Sequence, residues 1–171
     1  LFPFISLSQD SLNMSLLGYV DYPNTKGIDI WGWVDSLGSE FAIVGLRDGV
    51  SVVDVTDPIN PDEKFFIPDI YSTWRDIKTW GNYAYVTTES DTGLLIIDLL
   101  DMTGSSYWHV KEFISDNLND TIYFEAAHNL YIDENGIAYI FGASNPTGIS
   151  APPNGAIFLD LNSDPINPAY L

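Results

Sequence analysis

Three scarcities narrow what this chain can be. It has no cysteine, only 6 lysines and arginines against 24 aspartates and glutamates, and no apolar stretch approaching a membrane span. Without cysteine there are no disulfides, no thiol nucleophile and no thiolate zinc site. The formal net charge of -18 repels phosphate backbones and anionic lipid, which argues against nucleic acid and against polybasic membrane binding. No run of about 18 apolar residues and no basic segment leading into an apolar one can be read, so neither a membrane span nor a signal peptide is expected. Helical periodicity free of breakers is also missing from any stretch longer than about ten residues. The acidity itself reads as a well-solvated surface, with recruitment of divalent cations as the other use of such a field.

What is present is a phrase said three times. GVSVVDVTDPINP occupies 49–61, GLLIIDLLDM occupies 93–102 and GAIFLDLNSDPINP occupies 155–168. Each opens on glycine and runs through apolar residues to an aspartate: Asp54, Asp98 and Asp160. Gly49 and Gly93 are 44 positions apart, and Gly93 and Gly155 are 62 apart. Self-similarity at about 40–50 residues is the period of a propeller blade, and the longer interval reads as a blade with insertions. Before each phrase come three further short segments rich in Val, Ile, Tyr, Phe and Trp and bounded by Gly, Pro, Asn and Asp. They include SLLGYVDYP, EKFFIPD and YWHVKEFI as outermost strands. That composition is strand-and-turn chemistry.

The expected fold is therefore all-β: a β-propeller of four-stranded antiparallel blades, with about three blades in this chain. Residues 1–14 read as an N-terminal lead-in and 15–171 as blades. Inner strands are expected near 28–34, 75–80 and 128–133, and third strands near 50–55, 94–99 and 156–161. The Asp-Pro-Ile-Asn-Pro segments are expected to be turns, and Asp133-Glu134-Asn135-Gly136 a hairpin turn rather than a calcium loop. Propellers close with typically four to eight blades, so the reading is that the domain continues beyond 171. The remainder of the ring would come from the same longer polypeptide.

These runs carry a resemblance. NYAYVTTESDTGLLIIDL together with GVSVVDVTDPINP resembles the LVIVD repeat of bacterial secreted and surface β-propellers. DIWGWVD, LRDGVSVVD, WRDIK and AHNLYID are similar to one branch of that group, the choice-of-anchor B family. The resemblance spans roughly residues 15–171. It implies an extracellular or outer-surface location and a module defined by its repeats and anchors, with no particular reaction attached.

Laying the strand order onto a blade divides the connections between two faces. One face has short, regular turns. The other carries loops that differ from blade to blade, and long loops in a compact domain are commonly functional. On that face the inner strands begin, and alignment puts Asp29, Asp76 and Asn129 in register, preceded by Ile28, Arg75 and His128. Three readings of the triplet stay open. It fixes blade geometry through backbone hydrogen bonds; it is part of an oxygen ring for Ca²⁺, which wants six to eight oxygens; or a ligand site is built on Arg75 and His128, where the repeat is broken by titratable groups. Replacing Arg75 and His128 is expected, on the last reading, to weaken binding and spare the fold. Trp31, Trp33, Trp74 and Trp80 gather at the inner strands, either as packing between blades or as a stacking platform, for which Trp74 with Tyr71 and Tyr123 fits best. No zinc set is complete, since His109 falls in an outermost strand, and no nucleophile elbow is present. The expected function is a non-catalytic binding, adhesion or scaffold module for extracellular protein or glycan. A metal-dependent extracellular hydrolase or lactonase using the central channel is the alternative.

Overall fold

The computed structural model describes residues 13–115, 119–145 and 156–171. It is all-β, and every strand pairing within its sheets is antiparallel. The first blade runs β1 (Gly27–Val34), β2 (Glu40–Leu46), β3 (Gly49–Asp54) and β4 (Asp62–Pro68). The second runs β5 (Arg75–Trp80), β6 (Tyr83–Thr88), β7 (Leu94–Asp98) and β8 (Tyr107–Val110). A small hairpin follows, β9 (Glu112–Ile114) with β10 (Thr121–Tyr123), and then the third blade, β11 (Asn129–Ile132), β12 (Ile137–Phe141), β13 (Ala156–Asp160) and β14 (Ala169–Tyr170). Within each blade the strands neighbour one another in chain order. These are blades of a propeller-like fold, and the sheets do not close into a ring. No helix among the described residues is long and apolar enough to cross a membrane.

Burial explains the repeat phrase. The middle blade is covered on both faces, so its third strand is apolar without alternation. Leu95 and Ile97 join Trp33, Ile43, Val52 and Ile67 in a core between blades one and two. Leu94 and Ile96, pointing the other way as strand geometry requires, join Phe113, Phe124, Leu130 and Ile157 in a core between blades two and three. In the third blade one face is uncovered and β13 alternates accordingly, with Ile157 and Leu159 buried and Phe158 exposed.

The opening glycine has a steric cause. A Cβ on Gly49 would lie 2.2 Å from the Ile67 carbonyl oxygen, and one on Gly93 would lie 2.4 Å from that of Val110. In both blades the outermost strand passes over the start of the third. Gly93 also has a φ of 75°, which side chains disfavour. Gly93→Ala is expected to destabilise the protein by about 1–3 kcal/mol, read as a lower urea midpoint at unchanged slope.

The closing aspartate is a turn residue. Asp54, Asp98 and Asp160 each accept a hydrogen bond from the amide two residues on, and Asp57, Asp101 and Asp164 do the same one turn later. Asp133 binds the amides of Asn135 and Ile137, making the expected hairpin turn. Several of these carboxyls sit below their ordinary range: Asp54 through Thr56, Asp57 through Asn60, Asp133 through the Ile137 amide, and Asp101, held by Thr103, at about 2. A carboxyl whose pKa is depressed by folding stabilises the fold above its unfolded value, near 4, and that contribution is lost as pH falls through the folded value. Stability is therefore expected to fall between about pH 4 and pH 2, a window that a pH series of thermal melts would locate.

Two segments differ from expectation. SLLGYVDYP forms no strand: residues 15–22 carry no ladder, and Ser15–Val20 with Tyr22 line an apolar groove against Ile30, Ala42, Val44 and Val53 of the first blade. As an outermost-strand motif it would pair with the third strand of a preceding blade, and none precedes it among the described residues. YWHVKEFI is split at Lys111 into β8 and β9. β9 turns away to pair with β10, because Phe113, Ile122 and Phe124 bury on the second core, with Phe113 and Phe124 stacked at 5.1 Å.

Candidate functional site

The start of each inner strand lies at one end of the fold, and there a cleft of about 440 Å³ opens. Its walls come from Lys26, Gly27, Ile28 and Asp29 at the start of β1, Arg47 in the turn between β2 and β3, Thr73 to Asp76 at the start of β5, and Asn129 at the start of β11. The structure thus brings Asp29, Asp76, Asn129, Trp74 and Arg75 together on the face where the sequence places the variable loops. A second cleft of about 330 Å³, lined by Pro23 to Lys26, Arg47, Asp48 and Tyr71, shares Lys26 and Arg47 with the first. Loop segments 116–118 and 146–155 lie outside the described residues.

Asp29 and Asp76 join blades. The Ile77 amide donates to Asp29 Oδ2 at 2.8 Å, and the Leu130 amide donates to Asp76 Oδ2 at 2.7 Å. Each carboxylate thus holds the inner strand of the following blade one residue beyond its own register position. Asp76 Oδ1 meets Lys78 Nζ at 2.6 Å. Asn129 occupies the equivalent position on the uncovered side of blade three. A Ca²⁺ ion here would have to displace Lys78 and share oxygens already bound to amides. Among the described residues no group of three His, Cys, Asp or Glu is placed to hold a metal ion.

Arg75 borders the cleft, but its charged end is turned inward. Its side chain is 0% exposed; the guanidinium forms an ion pair with Asp69, itself 2% exposed, and donates to the carbonyl oxygens of Leu46 and Ile70. His109 of β8 completes the cluster at 3.1 Å from Asp69. Burial pushes the Asp69 carboxyl up; the hydrogen bond from His109 and the charge of Arg75 outweigh it, and the net shift is downward. Arg75 and Asp69 tie the end of blade one to the start of blade two.

His128 is a surface residue. Its ring stacks on Trp74, centroids 4.5 Å apart and planes at 16°, and Nδ1 lies 2.7 Å from Glu89. With both side chains of this contact about half exposed, His128→Ala is expected to cost no more than about 1 kcal/mol. It should free one face of Trp74, and the signature to look for is a shift in tryptophan emission without a comparable loss of Tm.

The tryptophans divide. The Trp33 indole donates to the Gly81 carbonyl and that of Trp31 to Thr79, while Lys78 lies 4.4 Å from the Trp31 ring centroid; Trp80 packs on the second core. These three join adjacent blades. Trp74 alone stands at the cleft, 43% exposed, and Tyr71, 61% exposed, stands in the second cleft with Arg47 5.8 Å from its ring centroid. Tyr123 bonds Glu125 instead and lines neither cleft.

Lys26 and Arg47 line both clefts, and the sequence reading did not single them out. They are neighbours across β1 and β2, the Arg47 amide donating to the Lys26 carbonyl at 3.2 Å. The signal was available: cations are so rare here that each warranted a question about its partner.

No curated protein matches this chain. Residues 73–105 match the LVIVD repeat, a stretch that takes in β5, β6 and β7, so the middle blade of this protein is built on an LVIVD repeat.

Proposed function

We propose that this chain is part of a secreted or cell-surface β-propeller, of the choice-of-anchor B branch, that binds extracellular protein or glycan without catalysis through the face where its inner strands begin. The observation that carries the reading is the open cleft on that face with Trp74 and Tyr71 exposed beside it. Solvent-exposed aromatics beside a concave polar wall are how small-ligand and interface sites combine apolar contact with orientation. The resemblance of WRDIK and AHNLYID supports the branch, because both runs fall at inner-strand starts and so bear on the same face. The LVIVD match supports the repeat architecture on which this reading rests.

The test uses the full-length protein. Surface-accessible tryptophan emission should respond to a bound glycan or protein from an extracellular panel, and Trp74→Ala should weaken that binding at least tenfold with the melting curve retained. Binding that is indifferent to Trp74, or that maps to the opposite face, would refute the assignment. Protease treatment of intact cells should remove the protein if it is displayed on the surface.

A further inference from the structure

Only six lysines and arginines occur in this chain, and four are matched to carboxylates: Lys64 to Asp62, Arg75 to Asp69, Lys78 to Asp76 and Lys111 to Glu125. The two without an ion pair among the described residues are Lys26 and Arg47, and they are adjacent. With 24 acids in the chain, two neighbouring cations lacking a carboxylate partner are the reverse of what the composition favours. Like charges side by side also repel. Both residues line both clefts.

The local charge balance is inverted relative to the whole. The first cleft is lined by Lys26, Arg47 and Arg75 against Asp29 and Asp76, and in it Arg75 and Asp76 already have partners. The second is lined by Lys26 and Arg47 against Asp48. Here, in a molecule of net charge -18, a small anion would meet two cations that no ion pair among the described residues neutralises. A long polyanion would be repelled by the rest of the surface, so the charge on the ligand must be short-range and local. Arg47 lies 5.8 Å from the Tyr71 ring centroid, and its planar fork suits a carboxylate. Trp74 has one ring face covered by His128, and the exposed ring offers stacking area at the wall of the first cleft. The clefts measure about 440 and 330 Å³, within the range of about 300–1,000 Å³ typical of small-ligand sites.

Resting on the binding-module reading above, we propose that the ligand is an acidic oligosaccharide. A sugar-ring carboxylate would be held by Lys26 and Arg47, and an apolar pyranose face would stack on Trp74 or Tyr71.

Tryptophan-fluorescence and calorimetric titrations of the full-length protein with a trigalacturonate, a glucuronate-containing hexasaccharide and their methyl-esterified, uncharged counterparts decide it. The expected result is saturable binding of at least one acidic sugar, at least tenfold weaker for its ester. The Lys26→Ala/Arg47→Ala variant should lose at least tenfold in affinity for the acid and little for the ester. Because Lys26 is exposed, Arg47 is partly so with a ring contact only to the exposed Tyr71, and neither has an ion-pair partner among the described residues, circular dichroism of the variant should match the parent and its Tm should stay close to it. Equal affinity for acid and ester, or an unchanged double variant, would overturn the carboxylate inference and leave a neutral-glycan site. Binding of neither acidic sugar overturns it as well; if a protein or neutral glycan still binds in a Trp74-dependent way, the binding-module reading stands without it.

Discussion

Arg75→Ala is expected to destabilise the protein by about 3–5 kcal/mol, the cost of breaking a buried ion pair on one side. At roughly 2–4 °C per kcal/mol for a domain of this size, Tm would fall by about 6–20 °C. The substitution leaves the buried Asp69 with His109 and the Ile70 amide but no cation of fixed charge, and strips the Leu46 and Ile70 carbonyl oxygens of the Arg75 donor. Arg75→Lys should recover little, since an ammonium cannot present the planar fork that serves three acceptors in different directions. Arg75→Met combined with Asp69→Leu should cost less than Arg75→Ala alone, because neither charge is then left unpaired. Urea or thermal denaturation of the three variants checks this. If Arg75→Ala instead melts like the parent and changes only binding, the guanidinium is a ligand group, as the repeat alignment alone would suggest.

Asp76→Ala is expected to cost about 1–3 kcal/mol, the penalty for a buried donor left without its acceptor. The donor is the Leu130 amide, and Lys78 loses its carboxylate at the same time. Asp76→Asn keeps a carbonyl oxygen for Leu130 and should recover part of the loss. Hydrogen exchange gives the sharper readout. The Leu130 amide should lose protection in Asp76→Ala, and the Ile77 amide, held by Asp29, should not. Uniform loss of protection at both would mean that the clasp between blades two and three is not a local bond but a mark of overall destabilisation.

The repeat architecture was legible because it is written in local chemistry. Glycine opens the third strand for a backbone oxygen that passes too close for a Cβ, aspartate closes it to cap a turn, and β-branched runs fill both faces of a sandwiched sheet. Inner-strand and third-strand positions therefore agree with the sequence reading to within about a residue or two. The hairpin β9–β10 was not legible, because YWHVKEFI reads as one strand until Phe113 and Phe124 find a core to share. SLLGYVDYP read as a strand because its composition is one, whereas a ladder also needs a partner strand.

Within the site, sequence alone determined the register. It placed Asp29, Asp76 and Asn129 at one level and Trp74 and Arg75 beside them, since strand period and repeat alignment fix position along a strand. Which way each charge points was decided only by tertiary structure. Arg75 sits at the cleft, yet its guanidinium is drawn inward, because Asp69 and two carbonyl oxygens from the preceding blade present acceptors there. Lys26 and Arg47 border the cleft and form no ion pair among the described residues. Sequence spacing carries no information on such contacts between blades, and those contacts are what separate the residues that hold this fold together from the residues left free to meet a ligand.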